Sequence, residues 1–99
     1  MQFDGFDWDT GNSDKCRKHG VSIVEIESLF AGLTLVGPDA RHSVVEKRFR
    51  AVGATAKGRS LFVVFTLRAS GGKRLIRPVS ARYMHKKEIE AHEKEIPGL

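Results

Sequence analysis

Between Arg41 and Lys87 the sequence carries thirteen lysines and arginines against a single acid, Glu46. Glu46, Arg48 and Arg50 recur at every second residue inside Val44 to Ala54, a segment that reads as a β-strand, so their side chains are expected on one face. Arg68 ends an apolar run, and Arg77 and Arg82 lie on and just beyond the strand expected after it. If these strands are neighbours, the arginines can converge on one surface. A guanidinium is a permanently charged planar fork that matches phosphate oxygens, and dense charge of one sign attracts polyanions. The alternative is that Glu46 pairs with an arginine across the sheet and the rest are solvated. Exposed pairs of that kind contribute only about 0–1 kcal/mol.

A second group opens the last helix. Met84 and Ile89 fit the N′ and N4 positions of a hydrophobic staple, which makes His85 the N-cap, puts Lys86 and Lys87 in the first turn and places Glu88 at N3. Two lysines at the positive end of a helix oppose its dipole, at about 0.3–1 kcal/mol each at low salt. Either a phosphate sits there, met by N–H groups, Lys86, Lys87, His85 and nearby Arg82, or the lysines are exposed enough for the cost to be tolerated. The other reactive side chains are weaker candidates. The single cysteine, Cys16, excludes an internal disulfide framework and a cysteine zinc site, and reads as a buried small residue. His85, Glu88 and His92 can share a helix face, but no third strong ligand is evident, so neither a metal nor a cofactor is expected. His19 reads as a helix cap and His42 as a loop residue.

The elements that must position these groups alternate in period. Phe3, Phe6 and Trp8 suggest a short first strand, followed by a short helix from Asp14 to His19 that Gly20 ends. Ser22 and Glu25 form a capping box, Val21 and Ile26 a staple, and Ile23, Ile26, Leu29 and Phe30 an apolar stripe that predicts a second helix stopped at Gly32. Strands are expected at Leu33–Val36, Val44–Ala54, Leu61–Leu67 and Lys73–Ala81. The third is apolar on both faces and should be central. Ser70-Gly71-Gly72 reads as a hairpin tip, and Pro78 implies an edge position or a bulge. A final helix is expected from about Lys86 to Glu95. The order β-α-α-β-β-β-β-α describes an α+β domain, an antiparallel sheet with two N-terminal helices and a C-terminal one.

Size and charge bound the rest. Ninety-nine residues fit one domain spanning 1–99, and a hydrophobic content of 40% suits an ordinary core. No apolar run is long enough to cross a membrane, and Asp4, Asp7 and Asp9 spoil a signal peptide, so a cytosolic protein is expected. The net charge of +5 divides unevenly, −4 over residues 1–40 and +9 over residues 41–99.

Lys18-His19-Gly20-Val21-Ser22, Glu46-Lys47-Arg48, Leu61 to Thr66 with Arg68, and Ile76-Arg77 through Ser80-Ala81-Arg82 with Lys87-Glu88 together resemble the BrnT family of toxins. The likeness spans nearly the whole chain, with KHGV and R-x-x-S-A-R its most specific parts. His92 stands where a tyrosine is frequent in that family, and Pro78 where an aliphatic residue is. The resemblance implies a fold of the RelE/ParE-like group and a cytoplasmic, bacterial ribonuclease that blocks translation. It also implies a ribbon-helix-helix antitoxin partner (BrnA-like), in a complex of two toxin and two antitoxin chains that meets operator DNA only through the antitoxin. On this reading Glu46 or His85 serves as base or acid, and Arg48, Arg68 and Arg82 stabilise the phosphorane. Arg50, Arg77, Lys86 and Lys87 hold neighbouring phosphates of the RNA. A non-catalytic basic module that binds antitoxin or RNA is the alternative.

Overall fold

A computed structural model describes residues 2–32, 34–39 and 46–92. The chain runs β1 (Gly5–Phe6), α1 (Thr10–Arg17), α2 (Ile23–Ala31), β2 (Thr34–Pro38), β3 (Phe49–Ala54), β4 (Ser60–Ser70), β5 (Lys73–Tyr83) and α3 (Lys86–His92). The strands form one sheet in the order β1-β5-β4-β3-β2. β2 to β5 are an antiparallel meander, whereas β1 lies parallel to β5 with Gly5 opposite Leu75 and Phe6 opposite Ile76. The sheet is therefore mixed rather than wholly antiparallel. Parallel neighbours need a long connection, and here the entire chain between β1 and β5 supplies it.

α1 begins four residues before its expected start. The Asp9 carboxylate accepts from Asn12 N–H at 3.0 Å and the Asn12 side-chain oxygen accepts from Asp9 N–H at 2.7 Å, a capping box built with Asn in place of Glu or Gln. Asn12 then works twice more, since its Nδ2 donates to the carbonyls of Asp7 at 3.0 Å and Pro78 at 2.8 Å. α2 starts as expected, with Ser22 Oγ accepting from Glu25 N–H and Glu25 Oε1 accepting from Ser22 N–H, each at 3.1 Å.

β4 is central and has eleven residues, more than its apolar run alone suggested, because Ser60 and Arg68 to Ser70 also find ladder partners. Leu61, Val63 and Phe65 point into the main core with Ile26, Leu29, Ala51, Ile76 and Ala81. Phe65 has no exposed surface; it meets Phe30 edge-on at 5.2 Å and stacks on Phe49 at 5.6 Å. Opposite the Val64–Phe65 step the pairing jumps from Ser80 to Pro78, leaving Val79 as the extra residue of a bulge. The proline expectation resolves as a bulge.

β2 and β5 each run two residues past their expected ends, to Pro38 and Tyr83, and the start of β3 differs from the sequence pattern. β3 starts at Phe49, so Glu46 and Arg48 precede it and only Arg50 lies on a strand; the expected common face of Glu46, Arg48 and Arg50 is not formed. Arg41, His42, Val44 and Val45 lie outside the described residues, as does the expected end of the last helix beyond His92.

Two substitutions separate satisfied from unsatisfied buried polarity. Asn12→Ala strips Pro78 O of its side-chain donor and α1 of its cap, and is expected to lower stability by about 1–3 kcal/mol. Thr66 is fully buried and its Oγ1 lacks a hydrogen-bond partner. Thr66→Val removes that hydroxyl and is expected to leave stability unchanged or raise it by about 1 kcal/mol. Urea denaturation at constant m measures both, and loss of stability in the valine variant would contradict the second expectation.

Candidate functional site

Because side chains alternate along β4, Phe62, Val64 and Thr66 face away from the helix-covered core. The register sets Arg50, Val64 and Ser80 side by side across β3, β4 and β5, and Val52, Phe62 and Arg82 on the next same-face rung. Strands lie about 4.8 Å apart, so Arg50 and Ser80 flank the apolar floor at about 10 Å from each other along the rung. Ile89 of α3 packs with Val52, Met84 and Phe62 and closes one end of this face.

A cleft of about 560 Å³ lies here. Phe62, Val64 and Ala81 contribute its apolar lining; Arg50, Ser80 and Arg82 come from the strands. His19 reaches it from the turn after α1, Asp39 from the end of β2, and Glu88 and His92 from α3. The His19 turn is held on both sides, by Cys16 at 0% exposure and Val21 at 1%. Gly20 takes φ 85°, a conformation that L side chains rarely adopt, and its N–H donates to Arg17 O at 3.0 Å.

The charged residues singled out in the sequence divide between this cleft and other places. Arg50 and Arg82 line it. The Arg82 guanidinium lies 4.6 Å over the Phe62 ring, and its two Nη atoms each donate to one Glu88 oxygen at 2.7 Å. That pair, followed by the His85 N–H that donates to Glu88 Oε1 at 3.0 Å, holds the Glu88 carboxyl down to about 2. His85 is exposed and its carbonyl accepts from Ile89 N–H at 3.0 Å, the N-cap geometry expected; Lys86 and Lys87 are exposed in the first turn. Arg68 sits six residues from Phe62 on the same strand, about 20 Å along the sheet, in an ion pair with Glu46. Arg77 is committed to the β1–α1 junction, at 2.9 Å from Asp9 and 3.4 Å from Asp7. Arg48 is half-buried before β3, and its carbonyl accepts from Asp39 N–H at 2.9 Å.

Sequence reasoning assigned no site role to His19, Asp39, Ser80, Glu88 or His92, which line the cleft. His19 and Ser80 did fall inside the two most specific motifs, KHGV and R-x-x-S-A-R, and that was the available signal. Cys16 is buried, and burial pushes its thiol up to about 11, which leaves no thiolate for nucleophilic attack at neutral pH. Among the described residues no His, Cys, Asp and Glu side chains group closely enough to hold a metal ion, and no helix is long and apolar enough to cross a membrane.

The protein is a small α+β domain with an arginine-lined cleft on the face of its central strand opposite the main core. Residues 8–88 match the family described as ribonuclease toxin, BrnT, of type II toxin-antitoxin system, and the chain belongs to that family. No curated protein matches the sequence. Membership implies a ribonuclease toxin and an antitoxin partner.

The Arg82–Glu88 pair gives an acid-side signature. A carboxyl whose folded value is depressed contributes stability above its unfolded value, and that contribution fades as pH falls from about 4.3 towards the folded value of about 2. Glu88→Gln should therefore flatten the loss of stability between about pH 4.3 and 2 while leaving the remaining carboxylate-dependent loss in place. Thermal melts across that range check it; an unaltered acid limb would refute the assignment.

Proposed function

We propose that this protein is a metal-independent endoribonuclease that cleaves single-stranded RNA in the Arg50–Arg82 cleft and so inhibits translation. The observation that carries the reading is the meeting of Arg50 and Arg82 with the imidazoles of His19 and His92 in one cleft, in a chain of a ribonuclease toxin family. Cleavage of RNA without an external nucleophile needs the 2′-OH deprotonated, the phosphorane charge stabilised and the 5′-oxygen protonated. Arg82 and Arg50 meet the phosphate, the electrostatic task that preorganised donors perform best. Arg48, Arg68 and Arg77 add positive charge for adjacent nucleotides, with Lys86 and Lys87 beside His85. Glu46 or His85 transfers the proton in the reading drawn from sequence; His19 and His92 are imidazoles of the cleft itself suited to the same work, which typically contributes 10²–10⁴-fold. The antitoxin on this reading is a ribbon-helix-helix protein, assembled two to two with the toxin in the cytoplasm, and operator DNA is met only through it.

One observation favours a second reading. Within the cleft Arg82 holds a carboxylate, that of Glu88, and Arg50 is exposed and forms no ion pair, so the cleft also suits an acidic segment of an antitoxin, bound without turnover. The two readings separate in one assay. Purified protein in EDTA should cut single-stranded RNA, and Arg82→Ala should lose about 10²–10³-fold in rate, the usual consequence of removing one oxyanion donor. Arg50→Ala should lose less, since it also leaves Arg82 in place. RNA binding should weaken steeply as salt rises, with a shallower slope in each alanine variant. Full activity in both variants removes these arginines from the mechanism, and translation arrest with intact RNA selects the binding module.

A further inference from the structure

Arg82 is restrained from two directions. Phe62 lies beneath the guanidinium at 4.6 Å, and Glu88 takes two of its N–H groups at 2.7 Å each. Glu88 is itself anchored, because its Oε1 also accepts from His85 N–H at 3.0 Å and the adjacent Ile89 packs on Val52, Met84 and Phe62. A guanidinium has five N–H donors, so the fork spent on Glu88 leaves three for a ligand. An arginine on a free stem would sample many orientations; this one is held over an aromatic ring by a charge-assisted pair, in the lining of the cleft.

We propose that Glu88 is a positioning residue of the cleft, holding Arg82 in the one orientation from which its remaining N–H groups meet a phosphate of bound RNA. The inference rests on the RNA-cleaving reading given above. A carboxylate beside a phosphate site repels the ligand, so a residue placed there for ligand affinity alone would not be acidic. Its contribution is to geometry, and it belongs in kcat rather than in KM. A purely structural latch between β5 and α3 would instead appear in stability alone.

Glu88→Gln distinguishes these roles. Glutamine still offers an oxygen to His85 N–H, so the start of α3 is kept, but the charged two-point hold on Arg82 is lost. The assay is steady-state cleavage of a single-stranded RNA oligonucleotide in EDTA, with melting temperature recorded at neutral pH. The expected result is a fall in kcat of about 10- to 100-fold with KM unchanged or lower. The charge-swapped double variant Arg82→Glu/Glu88→Arg provides a second reading should the glutamine variant fold poorly. It should recover melting temperature relative to Arg82→Glu alone without recovering cleavage, because the cation then sits on α3 instead of β5. A glutamine variant with kcat within about twofold of the unaltered protein overturns the inference, as does a swap that restores both stability and cleavage. If the unaltered protein cleaves nothing, it is the nuclease reading that falls, a result distinct from an active protein that Glu88→Gln leaves untouched.

Discussion

Phe65 has no surface left for solvent, and the layers of the molecule are fixed by what its ring touches. Phe30 of α2 meets it edge-on and Phe49 of β3 stacks against it, while Phe3 and Phe6 complete the aromatic group through Phe30. Burial of a ring this size dominates local energetics, and the edge-on geometry adds directional preference. A shift of β4 by one residue would turn Phe65 out of this group and send Val64 into it. The same register brings Arg50, Val64 and Ser80 into one row on the other face, so the cleft inherits its spacing from the packing of the core behind it.

How much of this could be read beforehand depended on whether the determining interaction was local. The second helix carries its own start in Ser22 and Glu25, and its placement followed directly. The hairpin tip at Gly71 and Gly72, both at positive φ, and the Met84–Ile89 staple are likewise local. α1 escaped because its cap uses Asn12 at a position where the signature asks for Glu or Gln, and because Asn12 also answers to Pro78, 66 residues away. The strand expected over Val44 to Ala54 failed at its start for a different reason: alternation of charge looks the same in a strand and in the irregular segment that leads into one.

The cleft was less legible than the fold. Arg82 and Arg50 were visible as members of a basic stretch, and only the strand register could show that they share one cleft while Arg68 lies about 20 Å further along β4. His19 illustrates the limit. Its sequence context, at the end of a helix, is that of a cap, and its place in the cleft depends on Cys16 and Val21 both being buried on either side of the turn. Those two anchors are local, but the groups His19 then faces come from strands and a helix far along the chain.

The uneven charge of the sequence is partly resolved by folding. Arg77, from the basic portion, is met by Asp7 and Asp9 from the acidic first forty residues, and that contact ties β5 to the start of α1. Arg68 uses Glu46, the lone acid of its stretch, and Arg82 uses Glu88 from the helix that follows. Among the described residues Arg50, which lines the cleft, and Lys86 and Lys87 at the start of α3 form no such ion pair, and neither do Lys73 and Arg74 at the far end of the β4–β5 hairpin. The arginines with partners gain fixed orientation and lose some of their field; the cations without partners keep their field. A site that must both attract a polyanion and hold one phosphate in a set geometry needs each kind, and the cleft lining joins one ordered guanidinium, Arg82, to Arg50, which forms no ion pair.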